Sequence, residues 1–434
     1  MKDLIIEKSR ALQDELVEIR RDFHKYAESG WTEFRTAAKI AEYVENLGYD
    51  VAYGSDVIDE AAMMGVPTAE ALAAHYERAL SQGAPAKYLE KMAGGKTGVV
   101  ATLDTKKPGP TIGLRFDIDA NDMNETATNC HRPYANSFSS VNPNAMHACG
   151  HDGHGAIGLG VAKLLMEMKD NFSGKIKLIF QPAEEGVRGA ASMMSKGVVD
   201  DVDHLIGFHI GFVGKENKML VCGVNGFLAT SKLDAIFTGT PAHAGAKPEE
   251  GKSALLAAAA CTMSLQGIYR HSSGASRINI GVLQAGTGRN VVPDHAVMKI
   301  ETRGVTSEIN EFVKKEAIRM IEASANMYDV SVEIKEAGGA MSGESDQELM
   351  DLTKRIGETS GLFNTIVESV NLGGSEDFTY FMDKVQKNGG KAAYLGFGTE
   401  IAAGHHDSRF DFDEEVLSTS VAMVLLLTKE LGEG

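Results

Sequence analysis

The sequence predicts an α/β protein. Its main domain is a mostly parallel mixed sheet with helices on both faces, and an α+β domain is inserted into it. Two observations lead to this fold class. Strand-like and helix-like segments alternate between residues 97 and 226, which is typical of parallel sheets. From 227 to 337 the order becomes β-α-β-β-α-β, the ferredoxin-like arrangement. We therefore assign 1–226 and 338–434 to a discontinuous first domain, and 227–337 to the inserted domain.

The elements of the first domain follow from hydrophobic periodicity. Apolar residues between Leu4 and Leu47 recur at three- and four-residue spacings, so this stretch is predicted to be helical. Residues 54–95 are rich in Ala, Met and Glu and predict a helical insertion. The next predicted elements are a helix over His151–Met168 and buried strands over Thr97–Leu103, Thr111–Phe116, Lys175–Phe180 and Leu205–Ile210.

The inserted domain contains two long amphipathic or Ala-rich segments between four strand-like ones. Its predicted elements are strands Thr230–Thr238, Ser276–Gln284, Ala296–Arg303 and Val330–Lys335, with helices Ser253–Tyr269 and Ser307–Met327. The chain then returns to the first domain. The elements predicted there are a helix near Gln347–Thr359, a strand at Ala392–Gly396 and a C-terminal helix.

Composition limits the kind of partner and compartment. The 434 residues are 43% hydrophobic and 24% charged, which is ordinary for a globular protein. The net charge of −17 opposes binding to nucleic acid and to anionic membranes, although a local basic pocket can still take an anionic substrate. We expect no signal segment and no membrane span. The four scattered cysteines do not form a disulfide framework, so a reduced, cytoplasmic setting is expected.

One short segment is unusually rich in metal-ligand side chains. It reads Met146-His-Ala-Cys-Gly-His-Asp-Gly-His154, and thiolate with imidazole is the ligand set that suits zinc and its neighbours. A single buried His or Cys is more often part of a core. Here the segment accompanies three more candidates, which are Gln181-Pro-Ala-Glu-Glu-Gly186, His209 and Gly404-His-His-Asp407. Several of these follow predicted strands, where sheets of this class bind ligands, so the combination favours a metal hydrolase.

Further motifs extend the pattern over nearly the whole chain. They are Arg20-Arg-Asp-Phe-His24 with Glu28, Leu114-Arg-Phe-Asp-Ile-Asp-Ala120, Gly239-Thr-Pro-Ala-His-Ala244, Arg289-Asn-Val-Val-Pro293, Gly374-Ser-Glu-Asp-Phe378, and His406 before Phe410-Asp-Phe-Asp-Glu414. With these motifs the chain resembles the amidohydrolase branch of the two-metal aminoacylase/carboxypeptidase superfamily. That branch includes hippurate hydrolases and auxin-conjugate hydrolases. The resemblance implies a two-domain metal-dependent amidohydrolase.

A narrower resemblance rests on four other segments. They are the insertion at 54–95, Cys130-His-Arg-Pro-Tyr134, Gly245-Ala-Lys-Pro248 and Ala403-Gly-His-His406. These are similar to the A-type subunits of the branch members that cleave p-aminobenzoyl-glutamate, a folate breakdown product. The resemblance implies a small-molecule acyl-amino acid substrate, with p-aminobenzoate and glutamate as products. It also implies either a homologous B-type partner subunit or, more simply, a homodimer through the inserted domain.

The resemblance also implies a two-metal site. Two divalent metal ions, manganese or zinc, would share a water and polarise the substrate carbonyl. Manganese is expected by analogy with the aminobenzoyl-glutamate enzymes, whereas a thiolate ligand favours zinc. Asp119 would orient a ligand histidine, and Asp117 has no assigned role. His147 and His154 either orient the ligands or are polar neighbours. The implied ligands are Cys149, His151, Glu185, His209 and His406.

The catalytic and substrate-binding roles follow from the same resemblance. Glu184 is the implied general base, taking a proton from the attacking water and delivering it to the leaving amine. His243 would stabilise the oxyanion in the site of the neighbouring subunit. Asn290 and Arg303 would hold the substrate carboxylate, and a surface ion pair is the other interpretation of Arg303.

Two basic residues suggest a second carboxylate contact. Arg289 stands where the branch commonly has an apolar residue, and Lys247 lies near His243 in the sequence. We hypothesise that both help to hold the side-chain carboxylate of a glutamate substrate.

Other functions remain compatible with parts of the pattern. The same residues would suit hippurate and N-acetyl or indoleacetyl amino acids. A non-catalytic subunit of a two-subunit hydrolase would be free to lose site residues, whereas this chain retains every candidate. Cys149 as a nucleophile is a weaker alternative, which chelator inhibition would exclude.

Overall fold

A computed structural model of the chain describes residues 1–433. The chain forms two compact units. The first comprises Met1–Asn225, Glu344–Leu372 and the chain from Asp377 onward; the second comprises Gly226–Gly343 with Gly373–Glu376. The second unit extends beyond residue 337 because its last strand continues to Ala340.

The N-terminal region is helical, as predicted, but it is divided into three helices. They are α1 (Lys2–Ala11), α2 (Gln13–Lys25) and α3 (Phe34–Leu47). Helix α3 ends at Leu47, and the next residue, Gly48, has φ +97° and so provides the left-handed cap that favours glycine.

The predicted insertion is also helical. Strand β1 (Asp50–Tyr53) leads into it, and its helices are α4 (Ala69–Ser81) and α5 (Ala86–Met92). The indole of the buried Trp31 donates a hydrogen bond of 2.8 Å to the carbonyl of Met64, which joins the insertion to the N-terminal region.

The rest of the chain alternates between strands and helices. In the first unit the elements are β2 (Val99–Asp104), β3 (Thr111–Asp117), α6 (Arg132–Ala135), α7 (His151–Glu167), β4 (Lys175–Gln181), α8 (Ala190–Ser195), β5 (His204–Ile210), β6 (Met219–Val221) and β7 (Val224–Asn225). The second unit adds β8 (Ala229–Thr238), α9 (Ala254–Leu265), β9 (Ser276–Ala285), β10 (His295–Gly304), α10 (Ser307–Met327) and β11 (Ser331–Ala340). The first unit then resumes with α11 (Gln347–Ser360), β12 (Thr365–Val367), β13 (Val370–Asn371), α12 (Phe378–Lys387), β14 (Lys391–Phe397) and α13 (Val416–Glu433).

The large sheet of the first unit confirms the predicted α/β class. Its strand order is β1-β2-β4-β3-β5-β14-β6-β12, and the four neighbours β4, β3, β5 and β14 run parallel. The outer strands β1 and β2 pair in the antiparallel sense. The sheet is therefore mixed, with a parallel centre.

Helices cover both faces of this sheet. Adjacent residues of β5 show it, because successive side chains of a strand point to opposite faces. Gly207 lies against Phe378 of α12, while Phe208 contacts Phe116 of β3. Phe116 in turn packs on α7 at Gly158, where an added Cβ would lie 2.9 Å from the Phe116 ring. The absence of a side chain at Gly158 thus permits α7 to approach the sheet closely.

The parallel centre determines where side chains can meet. The carboxyl ends of β3, β4 and β5 lie at the same edge of the sheet, since these strands are parallel neighbours. Asp119 follows β3, Glu184 and Glu185 follow β4, and His209 lies near the end of β5. The loop immediately before α7 contributes Cys149 to this group of residues.

The second unit has the predicted β-α-β-β-α-β order. Its antiparallel sheet has the strand order β11-β8-β10-β9, which leaves β9 at one edge. Helices α9 and α10 pack on it around a core that includes Leu233, Phe237, Cys261 and Ile321. Within residues 1–433, no helix combines the length and the apolar character required to cross a bilayer.

Candidate metal centre

The first cluster of ligand atoms joins the loop before α7 to the end of β5. Cys149 Sγ lies 3.3 Å from His209 Nε2, and His151 completes a group whose ligand atoms are all within 4.8 Å of one another. Gly150 makes this turn possible. Its φ is +91°, and an added Cβ would lie 3.0 Å from the side chain of Ile210.

Two further groups overlap the first. Cys149, Glu185 and His406 form one, with 3.4 Å between His406 Nε2 and Glu185 Oε1. His151, Glu184 and Glu185 form the other. Since Cys149, His151 and Glu185 are shared between groups, the structure brings all five residues predicted as metal ligands to one location, with Glu184 beside them.

The two buried histidines are oriented by acceptors on their Nδ1 atoms. Nδ1 of His151 lies 3.0 Å from the carbonyl of Asp119 and 3.2 Å from its carboxylate. Nδ1 of His209 lies 2.8 Å from the carbonyl of Ile210. Because carbonyl and carboxylate oxygens accept, each Nδ1 carries the hydrogen and each Nε2 is left for another partner.

The donor set fits a cation. Among residues 1–433, the buried Nε2 atom of His151 has no hydrogen-bond partner, which is uncommon for a buried polar atom. Burial and the nearby Glu185 and Glu184 raise the pKa of the Cys149 thiol well above its ordinary value. A cation between these groups would offset both penalties, because it favours the thiolate and neutralises the carboxylates.

Asp119 connects the histidine to the glutamate loop. Its carboxylate accepts hydrogen bonds from the backbone amides of Glu184 (3.1 Å) and Glu185 (2.9 Å), besides its contact with His151. Asp119 is 1% exposed, so these contacts are protected from water. The residue predicted to orient a ligand histidine therefore also fixes the backbone of the glutamate pair.

The sequence left the roles of His147 and His154 open, and the structure gives the two residues different contacts. His154 accepts a hydrogen bond from the amide of Ile210 at Nε2 (3.0 Å), and its Nδ1 bonds to Asp117. Both of its ring nitrogens are thus engaged, Nε2 at the end of β5 next to His209 and Nδ1 at the end of β3. Asp117, which had no assigned role, is the acceptor for His154 and pairs with Arg115.

His147 lies in a different environment. It is 1% exposed, and its two ring nitrogens have no hydrogen-bond partner among the described residues. Burial lowers its pKa to about 3, so the ring is neutral at ordinary pH. Its ring centroid is 6.2 Å from that of His24, on the side of Arg20 and Asp152.

His243, predicted to stabilise the oxyanion, and the predicted substrate-binding residues lie in the second unit, where His243 and Asn290 are neighbours. His243 forms a backbone bridge with Val291, and the amide of Ala244 donates to the carbonyl of Asn290 (3.0 Å). The amides of Gly245 and Ala246 donate to Nδ1 of His243 (both 3.2 Å). A neutral ring held in this way carries its hydrogen on Nε2 and offers it as a donor.

Arg303 is not close to that pair. The loops of His243 and Asn290 adjoin the His295 end of β10, because Thr238, at the end of β8, pairs with His295. Arg303 lies eight residues after His295 on the same strand, roughly 26 Å from that end at about 3.3 Å per residue. Its guanidinium pairs with Glu301 at 3.1 Å.

The two basic residues of the glutamate hypothesis have surface positions. Lys247 is exposed and pairs with Glu250 at 2.6 Å. Arg289 is also exposed, in the loop that carries Asn290.

Sequence reasoning missed two residues of the site region. The carboxylate of Glu33 accepts a hydrogen bond from the amide of Ala183 (2.8 Å), next to Glu184. The ring of Phe212 is 5.2 Å from that of His209 between centroids. Neither residue lies in a recognisable ligand motif, so the sequence offered no signal for them.

Comparison with known proteins agrees with this geometry. Residues 113–430 match the model of "Peptidase family M20/M25/M40". The chain is 51% identical to the A-type subunit of p-aminobenzoyl-glutamate hydrolase of Escherichia coli (strain K12), over 95% of this chain and 94% of that one. It is 50% identical to indole-3-acetyl-aspartic acid hydrolase of Enterobacter agglomerans, over 98% and 97%.

A solved structure shows the same likeness at the level of the fold. The aminobenzoyl-glutamate utilization protein from Klebsiella pneumoniae superposes with a TM-score of 0.86 and 42% identity, covering 98% of this chain and 97% of that one. The resemblance inferred from the motifs is thereby confirmed. The chain belongs to peptidase family M20/M25/M40 and is a metal-dependent amidohydrolase.

Proposed function

We propose that this chain hydrolyses the amide of p-aminobenzoyl-glutamate to p-aminobenzoate and glutamate. Two relatives at about 50% identity are named for conjugates of an aromatic acyl group with an acidic amino acid, which supports this substrate class. The observation that carries the proposal is the overlap of the three ligand groups around Asp119, Glu184 and Glu185.

The proposed ligands are the five residues of those groups. Two divalent ions held there would polarise the amide carbonyl and lower the pKa of the attacking water. Zinc is favoured by the thiolate of Cys149, whereas manganese would rely on the carboxylate and imidazole ligands. The proposed ligand set is Cys149, His151, Glu185, His209 and His406.

Glu184 is the proposed general base. It would accept a proton from the water that attacks the aroyl carbonyl, and then deliver that proton to the leaving nitrogen of glutamate. The role is supported by its position, since Glu184 Oε2 is 3.9 Å from His151 Nε2. The hydrogen bond from its amide to Asp119 would keep the carboxylate directed at the reacting atoms.

Phe212 supports an aromatic acyl group. Its side chain is 42% exposed, although it contacts the rings of His209 and His405 at centroid distances of 5.2 and 5.0 Å. Gly211 has φ +67°, and an added Cβ would lie 3.0 Å from Ile401. This close turn holds Phe212 at the edge of the cluster, where an aromatic ring of the substrate could pack against it.

The remaining residues would act on the substrate from two different copies of the chain. We propose that His243 donates from Nε2 to the oxyanion and that Asn290 and Arg303 hold the α-carboxylate. Within one copy, Arg303 is roughly 26 Å from the His243 end of β10, as estimated from the rise per residue. One substrate can contact both ends only if they come from different copies. We also propose that Arg289 and Lys247 help to hold the side-chain carboxylate of the glutamate substrate.

The partner is proposed to be a second copy or a homologous B-type subunit. The Escherichia coli relative is named as one subunit of its enzyme, which supports a second one. In the second unit, β9 is an edge strand, and Leu256 and Met263 of α9 are 50% and 76% exposed. An apolar helix face beside an edge strand suits association with another chain.

Indole-3-acetyl-aspartate is the second candidate substrate. The Enterobacter agglomerans relative is as similar to this chain as the Escherichia coli one is. Both conjugates have an aromatic acyl group and a dicarboxylic amino acid, so the same ligands and base would serve either.

We propose a cytoplasmic location for the reaction, consistent with four free cysteines.

A crossed panel of four amides tests the substrate. It combines p-aminobenzoyl or indoleacetyl groups with glutamate or aspartate, and kcat/KM is measured for each. We expect p-aminobenzoyl-glutamate to have the highest value. If the indoleacetyl conjugates exceed it, the second candidate is correct; if none is cleaved and N-acetyl amino acids are, the aromatic-conjugate proposal is wrong.

A further inference from the structure

The loop that carries the glutamate pair has an unusual backbone. Two of its residues that are not glycine have positive φ, Ala183 at +52° and Val187 at +59°. A β-branched residue in this region is strained, and such strain persists only where the surroundings enforce it. The structure around the loop should therefore contain the groups that hold it.

Those groups are buried carboxylates. The amide of Ala183 donates to Glu33 (2.8 Å), and the amides of Glu184 and Glu185 donate to Asp119. After the loop, the amides of Gly189 and Ala190 both donate to Asp377 at 2.9 Å. Three carboxylates from distant parts of the chain thus bind five amides between residues 183 and 190. We call Glu33, Asp119 and Asp377 the carboxylate cradle.

Each outer member of the cradle is fixed by a second contact. Thr97 Oγ1 donates to Glu33 Oε2 at 2.6 Å, and Gln181 Nε2 donates to Asp377 Oδ1 at 2.8 Å. Glu33 and Asp377 are both 0% exposed. Burying carboxylates is costly, and a turn that needed only amide acceptors could use carbonyl groups or water instead. The arrangement is understandable if the direction of this backbone matters for the reaction.

We infer that Glu33 is a positioning residue for the reaction. Its contact with Ala183 sets the backbone direction immediately before Glu184, just as Asp119 sets it at Glu184 and Glu185. This inference rests on the proposed role of Glu184 as the base. The role requires Glu33 to place an acceptor oxygen at the correct distance from the amide of Ala183. It does not require a negative charge.

Two conservative variants distinguish the length of the Glu33 side chain from its ability to ionise. Glu33→Gln keeps an acceptor oxygen at the same distance and removes the ionisable group, whereas Glu33→Asp keeps a carboxyl group and shortens the reach by one methylene. We expect Glu33→Asp to lower kcat about 100-fold with KM little changed, because misplacement of a catalytic group by about 1 Å can have such an effect. Glu33→Gln should keep kcat within about threefold of the parent.

Glu28→Ala is the matched control. Glu28 is another carboxylate that is 0% exposed, and it accepts the amides of Thr36 (2.8 Å) and Arg35 (3.2 Å), away from the loop. We expect it to lower Tm at least as much as Glu33→Asp while kcat changes little. If Glu28→Ala and Glu33→Asp lower kcat alike, the effect is general destabilisation and the inference is wrong.

A spectroscopic measurement tests the inference about Glu33 independently of the proposed function. The visible absorption of the cobalt(II)-loaded protein reports on the ligand field at Glu185 without any substrate. It should change in Glu33→Asp and stay at the parent spectrum in Glu33→Gln. Parent-like spectra and kcat in Glu33→Asp, or a Glu33→Gln variant as impaired as Glu33→Asp, would overturn the inference. Failure of the proposed base would appear instead as full activity in Glu184→Gln.

Discussion

At the scale of single residues, acceptor contacts determine what the candidate ligands can do. His151 and His209 each have Nδ1 directed at an oxygen, and so each presents Nε2 to the cluster. His154 has the same ring, but its Nε2 accepts the amide of Ile210. His154 therefore differs from His151 and His209 in the partner of its Nε2 atom, and residue type alone could not distinguish them.

Phe212 gives a prediction about the acyl group. Phe212→Ala should raise KM for p-aminobenzoyl-glutamate about tenfold, since loss of one aromatic contact costs on the order of 1–1.5 kcal/mol. KM for acetyl-glutamate should hardly change, because that substrate has no ring to contact Phe212. Phe212→Tyr, which keeps the ring, is the control. Equal losses for both substrates would show that Phe212 acts on the site in general.

The sequence predicted the five ligand candidates and the supporting Asp119, but not Glu33 or Phe212. The candidates have distinctive side chains in short motifs, and the structure brings all of them together. Glu33 and Phe212 contact residues far away in the chain, Glu33 with Ala183 and Phe212 with His405. Such contacts depend on tertiary packing, which has no local pattern in one sequence.

At the scale of elements, a buried ionic network holds α2 to the segment before α13. Arg20, 0% exposed, contacts Asp152, Asp411 and Glu414 at 2.7, 2.9 and 3.1 Å. Arg132 also contacts Asp411. Burial opposes ionisation of Asp411, but Arg20 and Arg132 outweigh it and lower the pKa of that carboxyl below its ordinary value. The ionised form is therefore the one that stabilises the fold.

This network predicts a pH dependence of stability. With a folded pKa below the unfolded value of about 3.9, Asp411 contributes its full stabilisation above that pH and loses it as the pH falls through the folded pKa. Asp411→Asn should lower the free energy of unfolding by about 3 kcal/mol at pH 7. Thermal unfolding of both proteins from pH 7 to 3 checks this. The two Tm curves should converge below about pH 4; a constant difference at all pH values would contradict the assignment.

The elements that the sequence predicted are the long, periodic ones. Strands β2 to β5, helix α7 and the elements of the second unit all correspond to predicted segments, with ends displaced by a few residues. Strands β1, β6, β7, β12 and β13 were missed. These are short and form through pairing with distant partners, as β6 does with β12, so their local sequence has little periodicity to detect.

At the scale of the whole molecule, the order of elements in the sequence predicted a second unit. The sequence did not predict that a later segment, Gly373–Glu376, also belongs to this unit. Residues Gly373–Glu376 belong to the second unit although they follow it by a long return segment. The amide of Leu228 donates to the carbonyl of Gly374 (2.7 Å), and Ser375 Oγ donates to the carbonyl of Leu228 (2.7 Å). This long-range pairing joins segments that are separate in sequence.

The separation of Arg303 from His243 leads to a prediction about association between copies. If His243 acts in the site of a neighbouring copy, Glu184→Ala and His243→Ala should each be inactive alone and should complement each other when mixed and reassembled. Random pairing makes half of the dimers mixed, each with one complete site, so about a quarter of the parent activity should return. A mixture no more active than its separate components would show that His243 serves its own copy or has no role.

The most direct test of the central claim is release of p-aminobenzoate from p-aminobenzoyl-glutamate by this chain alone. The assay compares metal-stripped protein, protein restored with manganese or zinc, and restored Glu184→Gln whose metal content has been measured. We predict no release without metal, release after restoration, and loss of at least about 100-fold in kcat for Glu184→Gln with its metal retained. Release by the stripped protein, or by Glu184→Gln at the parent rate, would contradict the claim.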